Sequence, residues 1–376
     1  MPDTETRIDC VAIAEKLAPD FAGRAAAHDA DDSFVAENFA RFAQEKIFSA
    51  GVPTELGGGG ATHAELCQML RTLGRACGST ALALSMHTHL VAATVWRWKH
   101  GDKPVEPLLR RIAAEQLTLV SSGASDWLEG SGRAEKVDGG YRITARKIFG
   151  SGSPSGKLLL TTAVYDDPSA GRTVLHIPVP LGAPEVKVQD NWHTLGMRAT
   201  GSHDIVIEGL FVPDAAVGAR RPSGKWHRFF DIICPVALPL VMSVYMGVAE
   251  SARALALEQA RKRKDDPAIP SLVGELETHL AAAQLAIDGM VATGANYDFE
   301  PTIERSNRAV VYKTIATRAL LATADKAMEV AGGGSFFRSM GLERLFRDLQ
   351  GARYHPMQER RQALFTGRLA LGLDPV

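Results

Sequence analysis

The stretch VAGGGSFFRSMGLERLFRD, residues 330–348, is the most informative part of this 376-residue sequence. Three glycines, Gly332 to Gly334, directly follow a long apolar pattern with helical spacing. Glycine commonly ends a helix because it adopts the left-handed backbone conformation easily. A glycine backbone also lets N–H groups approach an anion closely, as in a phosphate cradle. The residues alone favour the helix end, and the phosphate alternative stays open.

Helical patterns lie on both sides of a β-rich centre. Apolar residues recur with a spacing near 3.6 from residue 7 to about 115, and again after residue 224. Between about 117 and 212 the chain has short, β-branched segments of period two, with a hairpin signal at Asp138-Gly139-Gly140. The sequence therefore predicts an α+β fold. Its expected units are an N-terminal helical domain (1–115), a middle β domain (116–222) and a C-terminal helical bundle domain (223–376).

Composition and charge exclude several classes of protein. A formal net charge of −1 gives no bulk electrostatic reason to bind nucleic acid or an acidic membrane. The four cysteines lack C-x-x-C spacing, and the polar N-terminus is not a signal peptide, so a cytoplasmic protein with reduced thiols is expected. Residues 232–249 are uncharged and long enough to suggest a membrane span, but Pro235 and Pro239 interrupt them. We expect a helix buried inside a bundle, in a soluble protein.

Several motifs of known chemistry are incomplete. Residues 150–157, GSGSPSGK, resemble a phosphate-binding P-loop but have Ser151 in place of its first Gly and Leu158 in place of its Ser or Thr. His87 and His89 are two residues apart on a predicted helix, so they form a poor metal pair, and we predict no metal site. By spacing alone, the residues indicate only a helix–sheet–helix protein.

Five segments, in order along nearly the whole chain, resemble the acyl-CoA dehydrogenase superfamily of flavoproteins. They are AGVPTELGGGG…HTHL (50–90), LVSSGASD (119–126), ITARKIFGSG (143–152), WHTLGMRATGSHDIVIEGLFVPD (192–214) and AGGGSFF…ERLFRD (331–348). Each match alone is weak evidence for this superfamily. Five matches in the same order, together with the helix–sheet–helix pattern, are specific for it. The resemblance implies an N-terminal helical domain, a central β-barrel-like domain and a C-terminal four-helix bundle.

The resemblance also implies a flavin, FAD or alternatively FMN, between the middle domain and the helices. Gly332 and Gly333 would then approach the flavin pyrophosphate of a neighbouring subunit, which implies a homotetramer or at least a dimer. Phe149 and Ser151 would lie against the isoalloxazine ring, where a hydroxyl stabilises the electron-rich reduced form. The pyrimidine edge or the phosphate would be bound by Ser121, Ser122 and Ser125.

The catalytic glutamate of acyl-CoA dehydrogenases has no counterpart at its usual positions. Most members carry it about eight residues after the Arg-Asp pair, where this chain has RYHP (353–356). Other members carry it on the helix that precedes the segment at Gly247, where this chain has CPVALPLVMSVYMGVA (234–249) without an acid, and the Asp-x-x-Arg that helps to hold CoA is reduced to Asp231 with Cys234. Oxidation of an acyl-CoA, with hydride transfer to flavin N5, stays the main interpretation because it follows from superfamily membership.

The C-terminal tail favours an alternative, because it resembles a branch that includes two-component flavin-dependent monooxygenases. In that branch a separate reductase supplies reduced flavin, which activates O₂. Ser151, His355 and His87 are the candidate catalytic residues, although His355 could instead take the α-proton of an acyl-CoA or only cap structure, and His87 could be a core histidine. A third alternative is a non-catalytic flavin-fold scaffold.

The expected partners follow from these alternatives. They are a small-molecule substrate, with an acyl-CoA as one candidate, and either a flavin reductase or an electron-transfer flavoprotein. We expect neither a nucleic acid nor a membrane among the partners.

Overall fold

The computed structural model describes residues 7–122 and 126–376, and within these residues helices flank a central sheet. The N-terminal helices are α1 (Cys10–Asp31), α2 (Ala36–Gln44), α3 (His63–Ala76), α4 (Gly78–Lys99) and α5 (Glu106–Glu115). The strands are β1 (Leu119–Ser121), β2 (Arg133–Val137), β3 (Gly140–Gly150), β4 (Leu158–Asp167), β5 (Gly171–Pro180), β6 (Val186–Val188), β7 (His203–Pro213) and β8 (Ala219–Pro222). The C-terminal helices are α6 (Arg228–Arg261), α7 (Ile269–Gly294), α8 (Ile303–Ala331), α9 (Leu342–Leu349) and α10 (Glu359–Ala370). The predicted α+β class and helix–sheet–helix order are confirmed, while the exact domain limits stay a prediction.

The central strands form one sheet in the order β6-β7-β3-β2-β4-β5-β8, and β1 pairs with β4. β2 and β3 pair antiparallel across the predicted turn, where Val137 faces Gly140 and Gly139 has a φ of +73°. The two halves of the sheet, β6-β7-β3-β2 and β4-β5-β8, are joined where β2 pairs with β4. This pairing is parallel and consists of one residue pair, Arg133 opposite Val164. Apolar side chains of both halves share one core, for example Ile143 with Leu175, so the sheet wraps around its own interior in the expected barrel-like way.

The long helix α6 packs against α3 in the N-terminal part and against α7 and α8 in the C-terminal part. Two glycines permit the contact with α3. A Cβ on Gly247 would lie 2.1 Å from the carbonyl oxygen of Arg71, and a Cβ on Gly74 would lie 2.4 Å from that of Val244. No side chain fits at such distances, so these glycines fix how closely α3 and α6 approach.

Among the described residues, α6 is the one helix long and apolar enough to cross a membrane. Of its most apolar window, 89% is buried inside the fold. Tyr245, Leu240 and Val244 are fully buried, although Pro235 and Pro239 lie within the helix. The segment is therefore packed as a core helix.

The Arg-Asp pair of the stretch 330–348 connects α9 to two distant parts of the chain. Arg347 forms ion pairs with Asp29 on α1 and with Glu343, each at 2.6 Å. Asp348 is buried and accepts the backbone N–H of Met197 at 2.5 Å, and burial raises the pKa of this carboxyl to about 6. The pair thus holds the helical parts against the loop that follows β6.

Five histidines make the stability sensitive to acid. Burial lowers the pKa of each, to about 4 for three of them and to about 3 for the other two. They are His63, His87, His89, His176 and His355. Below the ordinary histidine pKa of 6.5 the unfolded chain takes up protons that the folded chain refuses, so stability is lost as the pH falls from about 6.5 towards 4. Burial raises the pKa values of two carboxyls, Asp231 and Asp348, and these two groups oppose the loss.

We therefore expect the melting temperature to fall steadily between pH 6.5 and pH 4. His63→Gln should make the melting temperature depend less on pH, because the chain would take up about one proton fewer on unfolding. The His63 ring is fully enclosed, and only its Nε2 is bonded, to the Val236 carbonyl. Thermal unfolding of both proteins across this range measures the slope. A melting temperature that stays constant or rises on acidification would contradict the lowered pKa values of these buried histidines.

Candidate functional site

A cavity of about 1350 Å³ lies between the sheet, the helices α4 and α6, and the segment 350–356. Ligand cavities of roughly 300–1,000 Å³ already enclose a drug-sized molecule. This cavity therefore has room for a flavin ring together with a substrate. The predicted residues Ser121, Ser122, Phe149, Ser151 and His355 all line it.

The end of β3 presents Phe149 to the cavity. Its pairing with β7 is irregular between Lys147 and Gly150, and Phe149 has a φ of +59°. Such an irregularity re-aims a side chain, and here it leaves the Phe149 ring 42% exposed, edge-on to Trp192 with 5.8 Å between ring centroids. An uncovered aromatic ring on a cavity wall fits a planar aromatic ligand such as isoalloxazine.

Ser151, two residues further on, also lies on this wall. Its hydroxyl is 2.7 Å from that of Ser202, which in turn is 2.6 Å from that of Thr200. Thr200 donates to the Met197 carbonyl, so Ser202 donates to Thr200 and Ser151 donates to Ser202, which leaves the Ser151 oxygen as an acceptor for a ligand N–H. The residues present fit the edge of a flavin ring.

A buried ion pair holds the described segment that begins at Asp126, after β1. Lys147 is fully buried, and its amino group lies 3.0 Å from both carboxylate oxygens of Asp126, which is 6% exposed. Ser122 donates to Asp126 at 2.7 Å and lies 2.6 Å from Thr161, so its hydroxyl is already engaged. Ser121 makes only a weak contact of 3.9 Å with the Met86 sulfur, which leaves its hydroxyl able to bind a ligand.

Arg221 supports the same segment from β8. Its guanidinium donates to the carbonyls of Asp126, Trp127 and Leu128, and burial lowers its pKa to about 10. Arg221 belongs to none of the five family segments, and Lys147 lies in the segment 143–152 but was not predicted as a site residue. The predicted flavin-binding residue Ser125 lies outside the described residues.

His355 is paired with a tyrosine of α6. The hydroxyl of Tyr245 lies 2.5 Å from Nε2 of His355, and burial raises the pKa of Tyr245 well above its ordinary value. The tautomer of His355 with its proton on Nδ1 lets this hydroxyl donate to Nε2, which satisfies the hydroxyl within the described chain. Burial and the charge of Lys313 lower the pKa of His355 to about 3. His355 therefore lines the cavity as a neutral imidazole, and its Nδ1–H is a hydrogen-bond donor.

Lys313 fixes the backbone of this segment. Its amino group donates to the carbonyls of His355 and Met357, each at 3.1 Å, and it is fully buried on α8. Burial lowers its pKa to about 8. This contact holds His355 at the cavity wall from behind.

The other histidine candidate, His87, is not on the cavity wall. Its Nε2 lies 2.7 Å from the Phe48 carbonyl, and its Nδ1 accepts the backbone N–H of Leu119 at 3.0 Å. Both ring nitrogens are engaged by the main chain, as in a histidine that ties β1 to α4. His89, which the sequence offered only as one half of a poor metal pair, lines the cavity instead.

Gly332 and Gly333 lie away from the cavity of their own chain, after α8. Gly332 has a φ of +73°, and a Cβ on Gly333 would meet nothing within 4 Å. Next to them, the rings of Phe336 and Phe337 are 86% and 67% exposed. The glycine run therefore ends α8, with open space at Gly333 and the guanidinium of Arg263 against Gly332.

The described part of the cavity wall contains two carboxylates, and both are ion-paired. Asp126 pairs with Lys147, and Asp102 pairs with Arg97 at 2.6 Å. No group of three or more His, Cys, Asp or Glu among the described residues could hold a metal ion.

Two family models match the chain. The acyl-CoA dehydrogenase N-terminal domain matches residues 11–102, and the acyl-CoA dehydrogenase C-terminal domain matches residues 240–360. The resemblance stated from the five sequence segments is therefore confirmed.

Similar proteins span most of the chain. Amino sugar nitrososynthase RubN8 of Streptomyces rubradiris is 28% identical, over 96% of this chain and 89% of that protein. The putative acyl-CoA dehydrogenase YdbM of Bacillus subtilis is 26% identical over 91% of each chain, and dibenzothiophene monooxygenase of Mycolicibacterium goodii is 27% identical over 82% of this chain and 81% of that protein.

A solved structure extends this likeness to the fold. KijD3, in complex with FMN and dTDP-3-amino-2,3,6-trideoxy-4-keto-3-methyl-D-glucose, superposes with a TM-score of 0.86 at 26% identity and covers 97% of this chain and 95% of that one. The chain belongs to the acyl-CoA dehydrogenase superfamily, as a flavin-dependent oxidoreductase.

Proposed function

We propose that this chain is the oxygenase component of a two-component flavin-dependent monooxygenase, in place of an acyl-CoA dehydrogenase. It would take reduced flavin from a separate reductase and add one oxygen atom of O₂ to a small organic substrate. Support comes from its likeness to nitrososynthases and to a dibenzothiophene monooxygenase. The roles given below to the site residues, and the separate reductase, are parts of this proposal.

The observation that carries the proposal is the state of the carboxylates in the cavity. An acyl-CoA dehydrogenase needs a carboxylate that can reach the α-carbon and take its proton. In the described wall, Asp126 is buried in its ion pair with Lys147, and Asp102 is held by Arg97 near α5. Neither is available as a base, whereas an N–H of His355 suits a reaction that stabilises developing charge on oxygen.

Four residues of this chain would have separate roles in the proposed reaction. Phe149 would pack on the flavin ring, and Ser151 would hydrogen-bond to its edge through the chain that ends at Met197. Tyr245 keeps the proton of His355 on Nδ1, and this N–H would donate to the oxygen atoms that react. Reduced flavin, when bound, supplies the two electrons that activate O₂.

One experiment separates the two chemistries. The protein loaded with FMN or FAD is reduced without oxygen and mixed with air-saturated buffer, with free flavin as the control. We expect the absorbance of oxidised flavin to return after a lag that free flavin does not show. In a parallel anaerobic sample, octanoyl-CoA should leave the oxidised flavin unchanged. Bleaching by octanoyl-CoA would restore the dehydrogenase interpretation.

We also propose that Gly332 and Gly333 bind the flavin phosphate of a neighbouring subunit in a homotetramer or a dimer. Their position outside their own cavity, beside exposed Phe336 and Phe337, supports this arrangement. The four cysteines are free and buried, which supports a reducing, cytoplasmic location.

Gly333→Val is expected to fold normally but to bind flavin about tenfold more weakly, because a side chain there would meet the phosphate of the neighbour. The isolated chain has open space at this position, so instability is not expected. Gly182→Val is the matched control, since its Cβ also meets nothing within 4 Å and it lies away from this surface. Flavin retained after gel filtration measures the effect, and full retention by Gly333→Val would exclude the cradle.

A further inference from the structure

Arg221, on β8, lines the cavity as a buried cation that has no carboxylate partner among the described residues. It is 2% exposed, and its guanidinium donates to three backbone carbonyls and, at 3.1 Å, to Nε2 of His176. A guanidinium has five N–H groups, so one N–H of Nη1 has no partner in the described chain. Carbonyls and an imidazole satisfy hydrogen bonds, but they leave the positive charge uncompensated.

The acidic groups around Arg221 do not balance its charge. Asp126 is already paired with Lys147, and both of these residues are buried. Glu129 also attracts Arg221, but its side chain is 57% exposed, so solvent screens its charge. Arg221, Lys147 and Asp126 therefore form a buried group of two cations and one carboxylate. Because an uncompensated buried charge is costly, this part of the cavity favours a ligand group with one negative charge.

The other arginines of the described wall have carboxylate partners within 3.0 Å. The pairs are Arg97 with Asp102, Arg111 with Glu115, and Arg347 with Asp29. The side chains of Arg97 and Arg111 are also 34% and 53% exposed, so solvent screens their charges further. In the described wall, the attraction for an anion is therefore strongest at Arg221.

Two strands bring further hydrogen-bond donors next to Arg221. His176 accepts from Arg221 through Nε2, so its proton is on Nδ1, which has no partner in the described chain. Burial lowers the pKa of His176 to about 3, so the ring is neutral at pH 7. Thr162 lies directly opposite His176 in the antiparallel pair of β4 and β5, and both residues line the cavity. The two side chains are therefore neighbours on the same face of the sheet.

Two buried polar atoms of this wall have no hydrogen-bond partner. They are Oγ1 of Thr162 and Nε1 of Trp127. Trp127 is next to Arg221, because its carbonyl accepts from the guanidinium at 3.0 Å. A buried polar group without a partner costs free energy, so such an atom marks a place where a ligand group can bind. With His176 and Arg221, these residues offer four donor hydrogens around one buried positive charge.

We propose that Arg221, His176, Thr162 and Trp127 form a subsite for the carboxylate group of the substrate. Its assignment to the substrate rests on the proposed monooxygenase function. An ionised carboxylate carries one charge, and its two oxygens accept up to about four hydrogen bonds, which matches this subsite. Apolar side chains such as Phe230 line the same cavity, so the rest of the substrate would be hydrocarbon. The substrate class is therefore an apolar carboxylic acid, which differs from the diphosphate-bearing sugar in the KijD3 complex.

Binding of two probes to the protein loaded with oxidised FMN tests the subsite. The probes are cyclohexanecarboxylate and cyclohexanecarboxamide, which are similar in shape but differ in charge. At neutral pH we expect the carboxylate to bind about tenfold more tightly, because hydrogen bonds to an ionised group are about twice as strong as neutral ones. Isothermal titration calorimetry measures both affinities. Equal affinities would overturn the proposal.

Thr162→Val and Trp127→Phe each remove one donor from the subsite. Neither donor bonds to another described residue, so the fold should persist. We expect each change to weaken binding of the carboxylate about tenfold, the cost of a lost hydrogen bond to a charged group. The matched controls are Thr317→Val and Trp96→Phe, because their polar atoms are also buried and unpartnered but do not line the cavity. Variants that bind the carboxylate as well as these controls would exclude the subsite.

Two further results would assign the subsite to a different ligand and so overturn the proposal. The first is that dTDP binds more tightly than the carboxylate and loses affinity in Thr162→Val. The second is that Thr162→Val and Trp127→Phe weaken binding of FMN but not of riboflavin, which would place the flavin phosphate there. The outcome is separable from that of the monooxygenase proposal, because oxidised FMN performs no oxygen chemistry. If the binding pattern holds and no oxygenated product forms with reduced flavin in air, the carboxylate subsite stands and the oxygenase function falls.

Discussion

Replacing Lys147 with Met is expected to destabilise the protein by about 3–5 kcal/mol, because it leaves the Asp126 carboxylate buried without its counter-charge. Lys147 is fully buried, and both Asp126 oxygens lie 3.0 Å from its amino group. The same carboxylate accepts hydrogen bonds from Ser122 and Thr161 beneath the cavity. Urea unfolding should show the loss, and flavin binding should weaken along with it.

Two variants control for this prediction. Lys136→Met removes an ion pair with Asp214 in which both side chains are more than 40% exposed, and exposed pairs contribute at most about 1 kcal/mol. The double variant Asp126→Asn/Lys147→Met removes both charges, so it should be more stable than Lys147→Met alone. A loss below about 1 kcal/mol for Lys147→Met would show that the pair contributes little.

Replacing His355 with Ala is expected to lower substrate oxidation by about a hundredfold, in the range of a lost proton donor. Flavin reoxidation by O₂ should continue, so that reductant is consumed without product. The fold should persist, because Lys313 holds this segment through backbone carbonyls that the substitution keeps. The ratio of product formed to NADH consumed, with a reductase supplying reduced flavin, measures the effect.

His279→Ala is the matched control, since His279 lies on α7 and does not line the cavity. Tyr245→Phe tests the tautomer, because it removes the hydroxyl that keeps the ring proton on Nδ1. This variant should show intermediate loss. Unchanged product yield in His355→Ala would remove His355 from the mechanism.

The local pattern of the chain was enough to predict its elements. The period of the apolar residues changes from helical to alternating and back, and the β2–β3 hairpin forms at Asp138-Gly139-Gly140 as predicted. These signals are local, since helix and strand periodicity are properties of neighbouring residues. The superfamily, too, was identified from short segments in order, and the family models bear it out.

The choice between histidines could not be made from sequence. His87 and His89 differ by two positions on one helix, yet His87 is engaged by Phe48 and Leu119 while His89 faces the cavity. Which ring nitrogen carries the proton depends on whether a carbonyl, an amide or a hydroxyl from elsewhere lies against it. No spacing rule contains that information.

The sequence by itself determined the order of helices and strands, the superfamily, and the absence of a glutamate at the usual catalytic positions. Only the tertiary structure placed Tyr245 against His355, which is 110 positions away, and showed both described cavity carboxylates to be ion-paired. The reason is physical. Periodicity acts between neighbours in the chain, whereas protonation and charge pairing depend on groups that become neighbours only when the chain has folded.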